Sequence, residues 1–256
     1  MRVLAVLILV FLPFGGQADA AAFKAVYEAA RDDDEAWARD LLRESEVVDG
    51  AVEALNRLIR LSRDLTVRFG AEDGPLYDPD LGEIWFPYAF VLEVADRFSA
   101  EFTGEDETER VAEATLDAVE HTLYHEVGHA LIDRFRLPAT GREEDAVDTL
   151  AALMIIALYE NGADIAANAA ILFGLESEDR TEIDEDSLMG EHSLDAQRYY
   201  AIACLIYGSD PAANADIAED LEMSEERADL CVIDFERQRE AWRRLLAPHL
   251  KDAGLF

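Results

Sequence analysis

From Ala21 to Arg63, apolar side chains recur mostly at three- and four-residue steps: Phe23, Val26 and Tyr27, then Trp37 and Leu41, then Val52, Leu55, Leu58, Ile59 and Leu61. That period predicts helices. Asp32-Asp33-Asp34 reads as a solvated helix start, because no glycine-bearing loop with a closing glutamate follows to make a calcium site. The period then changes. Leu65-Thr66-Val67-Arg68-Phe69 alternates and is rich in β-branched and aromatic residues, and Glu83-Ile84-Trp85-Phe86-Pro87-Tyr88 gives a second strand signal beyond a turn-rich connection. Together they predict a small antiparallel sheet or hairpin. Pro87 lacks an N–H donor, which suits an edge or a strand end. Such an edge can pair with extended peptide backbone; an ordinary structural hairpin accounts for the pattern equally well.

Helical spacing returns from Phe90 to Phe102 and governs a long segment from about Thr108 to Phe135, where Val111, Ala114, Leu116, Val119, Leu123 and Val127 are apolar. Pro138 and Gly141 break it, and Glu143-Glu144 opens another helix, where carboxylates complement the positive end of the dipole. The acidic stretch between Gly174 and Met189 reads as a surface connection or a lid. Ser193 is placed to cap the helix carrying Asp195, Arg198, Tyr199 and Tyr200, and Asp216 to Ala247 is helical again. The fold class is therefore α+β, mainly α. Residues 21–64, an N-terminal helical region, are expected to form one compact unit with residues 65–256.

The first 20 residues have a different character. Arg2 supplies positive charge, Val3 to Phe14 an apolar core, and Ala18-Asp19-Ala20 a small-x-small cleavage site, so residues 1–20 are expected to be a secretory signal peptide. An uncleaved anchor is the rival reading, but the run is short for a bilayer. Cleavage would leave an exported protein, periplasmic or secreted, with no membrane attachment.

Charge narrows the partners. The chain carries 56 acidic against 22 basic residues, a net charge of −34. Nucleic acids and anionic membranes require a basic surface, so neither is expected as a partner. The acid can attract cationic substrates, or it can be a solvating coat suited to a salty environment. Arg237, Arg239, Arg243 and Arg244 form the one basic cluster, read as an internal salt-bridging face. Two cysteines, Cys204 and Cys231, fit an exported protein: a disulfide closing a loop of about 28 residues contributes roughly 3 to 4 kcal/mol in the loop-entropy treatment. A cysteine metal ligand is the alternative.

Candidate chemistry sits in Tyr124-His125-Glu126-Val127-Gly128-His129-Ala130-Leu131. Residues four apart share a helix face, so His125 and His129 can direct imidazole nitrogens at one ion, with Glu126 on the adjoining flank. Zinc takes neutral nitrogen donors, and a catalytic site keeps a position for water beside a carboxylate able to take its proton. The flanking residues are uncharged, and two histidines and a glutamate would be costly to bury there without an ion. Gly128 leaves room for a ligand or a neighbouring backbone. Glu144 and Asp148, four apart at the next helix start, can both face the first helix. Glu144 is then the third ligand, and Asp148 accepts a hydrogen bond from a ligating histidine. His121, one turn before His125, is read as structural, and Glu143 as helix-start electrostatics.

His125-Glu126-x-x-His129 followed by Glu144-x-x-x-Asp148 resembles the gluzincin arrangement of zinc metallopeptidases, in which a helix-borne glutamate is the third ligand. His192-Ser193-Leu194-Asp195-Ala196-Gln197-Arg198-Tyr199 and Cys204 to Pro211 are similar to a bacterial metallopeptidase-like family, a domain of unknown function. The resemblance runs from about Leu65 to Leu246. It departs from thermolysin-type peptidases in the short interval between His129 and Glu144. It implies a zincin-like helical domain with a small sheet before the metal-binding helix, and one Zn(2+) per chain. It also implies a role for His192 at the oxyanion of a tetrahedral intermediate, with Tyr199 as a partner; a helix-start histidine bonded to Asp195 is the plainer alternative.

These observations predict a zinc-dependent peptidase acting on a peptide or protein substrate, with His125, His129 and Glu144 as ligands and Glu126 as general base. The alternative is a non-catalytic secreted zinc-binding protein that holds a partner.

Overall fold

β1 (Phe23–Tyr27) is a strand, where apolar spacing alone predicts helix. The computed structural model describes residues 21–104, 106–180 and 182–251; the expected signal peptide lies outside them. Phe23, Ala25 and Tyr27 alternate with Lys24 and Val26, so the segment also satisfies a two-residue period. The decision is made by a distant partner, β2 (Leu65–Phe69), which pairs with it in parallel, Phe23 opposite Leu65 and Tyr27 opposite Phe69. The helices α1 (Asp33–Ser45) and α2 (Val47–Leu58) form the crossover that a parallel pair needs. Asp32 caps α1, its carboxylate accepting the Glu35 N–H at 2.9 Å, in keeping with the helix-start reading of the triple aspartate.

The sheet is mixed, which corrects the expected antiparallel one. Its order is β1-β2-β4-β3: β2 and β4 (Glu83–Phe86) run parallel, and only β3 (Leu76–Asp78) pairs antiparallel, with β4. Leu76-Tyr77-Asp78 adds this edge strand in a stretch that reads as connection. The two segments legible as strands are thus neighbours running the same way, because the chain passes through β3 between them.

Helices pack on this sheet and on one another. α3 (Tyr88–Glu101) and α4 (Glu107–Phe135) follow, then α5 (Glu143–Leu158) and α6 (Gly162–Glu178). The short α7 (Glu185–Met189) precedes α8 (Asp195–Ser209), α9 (Ala215–Asp220) and α10 (Glu225–Leu246). The fold is α+β and mainly α. α6 runs helical to Glu178, further than its acidic composition indicates, and α8 opens with Leu194 rather than Ser193 at its N-cap, the Gln197 side chain accepting the Leu194 N–H. Hydrophobic burial unites the sheet with α4, α5 and α8: Val67, Phe69 and Ile84 belong to one cluster with Leu123, Leu131, Leu150 and Leu205. Cys204 and Cys231 form a disulfide joining α8 to α10, with Cα atoms 5.1 Å apart. Arg239, Arg243 and Arg244 of α10 pair with Glu236 and Glu240 on their own helix, whereas Arg237 of the same cluster makes no ion pair among the described residues. Among the described residues, no helix is long and apolar enough to cross a membrane.

Candidate metal centre

α4 places His125 and His129 one turn apart, and their Nε2 atoms lie 3.2 Å from each other. α5 brings the third donor. A Cβ on Gly128 would lie 2.8 Å from Val147 Cγ1, so only glycine lets α5 approach this closely, which is the neighbouring-backbone role its sequence position allows. With the helices in that contact, Glu144 Oε2 stands 3.2 Å from His125 Nε2 and 3.3 Å from His129 Nε2. These three residues form a group able to hold a metal ion.

The donor chemistry fits a cation. His125 Nδ1 is 2.7 Å from Asp148 Oδ1, and His129 Nδ1 is 2.9 Å from Glu143 Oε1. An ionised carboxylate only accepts, so each Nδ1 carries the proton and donates. Both Nε2 lone pairs then point at each other and at a carboxylate oxygen. Glu144 Oε2 is buried where these two nitrogens and His192 Nε2, 3.0 Å away, converge on it. Separations of 3.2, 3.2 and 3.3 Å lie at or just under the short limit of the edges, about 3.3–3.6 Å, of a tetrahedron built on metal bonds of about 2.0–2.2 Å.

Ionisation follows the same pattern. Burial alone would lower the His125 pKa, but hydrogen bonds with Asp148 and Glu144 outweigh it and raise the value to about 9. His129 is raised despite burial through Glu144 and Glu143. Glu144 and Asp148, although desolvated, are held well below the usual carboxylate range, Glu144 by the three histidines around it and Asp148 by Arg198 and His125. Protons shared between imidazoles and carboxylates thus hold this cluster together, and a cation bound at the point where the Nε2 atoms and Glu144 converge would displace them. Glu126, 6% exposed, lies beside them, and burial raises its pKa, against the lowering effect of the two histidines.

Three further residues complete the surroundings, none of them singled out by the sequence for the role it plays. Glu143, read as helix-start electrostatics, holds His129. Arg198 of α8 grips Asp148 through Nε to Oδ2 at 2.7 Å and Nη2 to Oδ1 at 2.8 Å, while its guanidinium lies 3.8 Å from the centre of the Phe173 ring. Arg142 donates from Nη1 to the carbonyls of Gly190, at 3.1 Å, and His192, at 2.8 Å. The only sequence signal for Glu143 is adjacency to Glu144; Arg198 lies 50 residues from Asp148 and carries none.

His192 is half-exposed, with Nε2 3.0 Å from Glu144 Oε2 and its ring stacked over that of His125 at 6.2 Å; its partner is Glu144, not Asp195. Tyr199 is not brought to the site. It sits one step along α8 from Arg198, about 100° around the helix, and packs toward Gly174 and Tyr200. His121 is buried, and burial lowers its pKa to about 4. It lines a cavity of about 160 Å³ together with Glu126, His125 and His192.

Fold and site together define a mainly helical α+β protein in which two helices bring His125, His129 and Glu144 into a group able to hold a metal ion. Residues 27–246 match the family model described as "Putative metallopeptidase", and the chain belongs to that family. No curated protein matches it, and neither does any solved structure.

Proposed function

We propose that the protein is an exported zinc-dependent peptidase. The observation that carries this reading is the set of three converging donors at tetrahedral spacing with the buried carboxylate of Glu126 beside them. His125, His129 and Glu144 would hold one Zn(2+), which supplies Lewis acidity for a carbonyl and lowers the pKa of water. Glu126 accepts the proton of the attacking water and returns it to the leaving amine; its raised pKa brings it nearer the range suited to that exchange. His192, exposed and adjacent, donates to the developing oxyanion. Asp148 fixes the His125 ring, and Arg198 fixes Asp148. The edge strand β3 supports extended substrate backbone; its Tyr77 amide helps to stabilise the Glu126 carboxylate. The disulfide agrees with an oxidising compartment, periplasmic or extracellular. The strong net negative charge disfavours nucleic acid, leaving peptide or protein as substrate.

Elemental analysis and proteolysis of an unfolded protein substrate test the reading together. Wild type and Glu126→Gln are each expected to hold about one zinc per chain, with turnover falling by at least ~100-fold in the variant. Chelation is expected to remove turnover and lower the melting temperature. Undiminished turnover in Glu126→Gln, or no zinc in wild type after zinc is supplied, refutes it.

A further inference from the structure

The cavity beside Glu126 has a chemistry of its own. Phe90, Leu172 and Phe173 give it apolar walls. Beyond His125 and His192 of the candidate metal site, its polar lining is Glu126, Glu176, Thr122 and His121, with one cation, Arg198. Glu176 is held partly inside the protein and makes no ion pair within 4.0 Å among the described residues, and burial raises its pKa to about 7. The two arginines whose charges reach it are committed elsewhere: Arg97 to Asp179 at 2.8 Å and Glu93 at 3.1 Å, Arg198 to Asp148. Thr122 spends its hydroxyl proton on the Ala118 carbonyl at 2.9 Å, leaving lone pairs free. His121, 1% exposed, has a buried Nε2 with no hydrogen-bond partner.

A buried polar atom without a partner is costly, and so is a half-buried carboxylate without a counter-charge. A ligand that brings hydrogen-bond donors and positive charge on an apolar stem would satisfy both. We infer that this cavity is a specificity pocket for a lysine or arginine side chain of the substrate, with Glu176 as the charge partner and His121 as a further acceptor. Methylenes lie along the aromatic walls and the cationic head reaches Glu176. About 160 Å³ accommodates one such side chain and little more. The inference rests on the peptidase reading for its placement beside a scissile bond, but not for its selectivity.

Binding separates the two. Calorimetry with zinc-loaded Glu126→Gln would use four blocked peptides, acetyl-Ala-Ala-X-Ala-Ala-amide with X as lysine, arginine, norleucine or glutamate. Because Glu126 is already neutral in this protein, Glu176 is left as the unpaired carboxylate of the pocket. Lysine and arginine peptides are expected to bind on the order of tenfold or more tightly than norleucine, and glutamate weakest. In Glu126→Gln with Glu176→Gln, that ratio is expected to fall to within about twofold at unchanged zinc content and melting temperature. Equal binding of lysine and norleucine, a preference that survives Glu176→Gln, or no binding by any peptide overturns the pocket. A lysine preference in a protein whose wild type cleaves none of these peptides removes the hydrolysis and keeps the pocket. Cleavage with no such preference does the reverse.

Discussion

The Nε2 atoms of His125 and His129 face each other at 3.2 Å while each ring turns its Nδ1 to a carboxylate, Asp148 for one and Glu143 for the other. Two carboxylates thus orient both rings, leaving both Nε2 atoms and Glu144 Oε2 turned to one point where a cation can sit. What holds it is the contact of α4 with α5 and the grip of α8 on Asp148.

Asp148→Asn tests that grip. The amide cannot serve as the anionic partner of both His125 and Arg198, so metal affinity is expected to fall by about 10- to 100-fold. Arg198 keeps a mostly buried guanidinium that has lost its counter-charge, a loss of the kind that costs about 3–5 kcal/mol. Competition with a chromogenic chelator reads the first effect and denaturant melts of the metal-free protein read the second. Unchanged affinity would show that His125 is oriented without Asp148.

Gly128→Ala tests the helix contact. Its methyl would sit 2.8 Å from Val147 Cγ1 and 2.9 Å from Val147 Cβ, so α5 must shift and carry Glu144 with it. Overpacking of this kind costs about 1–3 kcal/mol. Metal affinity should fall with stability, and the added change Val147→Ala should restore part of both. A neutral Gly128→Ala in melting and metal titration would refute the close-approach argument.

Glu120 sets a pH dependence away from the donors. Burial raises its pKa from 4.5 to about 7 and that of Asp117 from 3.8 to about 6, offset only in part by Tyr159 and Asn168 respectively. The folded protein then binds these protons more tightly than the unfolded chain. Their contribution to stability is full below about pH 4 and is lost as pH rises through about 6 to 7. Glu120→Gln should therefore gain on the order of 1–3 kcal/mol relative to wild type at pH 8 and little at pH 4. Melting temperatures at both pH values decide it; an equal difference at the two would remove the titration from the explanation.

Local pattern carried much of this molecule. The convergence of His125 and His129 is legible because residues four apart share a helix face, and that of Glu144 with Asp148 because they repeat the step at the next helix start. β2 is legible from strict alternation over Leu65 to Phe69, and α4 from its long apolar period. β1 is ambiguous in sequence because Phe23, Val26 and Tyr27 satisfy helical spacing while Phe23, Ala25 and Tyr27 satisfy a strand's; parallel pairing with β2 settles the ambiguity, and that partner lies beyond two helices. The same distance hid the sheet's mixed direction. Arg198 shows the limit most plainly: nothing near it in sequence identifies the carboxylate it grips, and its neighbour Tyr199, equally suggestive on paper, faces another helix.

The pairing of Arg198 with Asp148 also orders events in time. His125 and Asp148 are 23 residues apart, a short loop that closes cheaply, whereas Asp148 and Arg198 are 50 apart. A chain emerging from its N-terminus has every donor in hand before the residue that locks them has been made. α8, which brings that lock, is itself crosslinked to α10 by Cys204 and Cys231. The candidate centre thus depends on a contact of long sequence separation, made by a helix that is itself pinned to the C-terminal part of the chain.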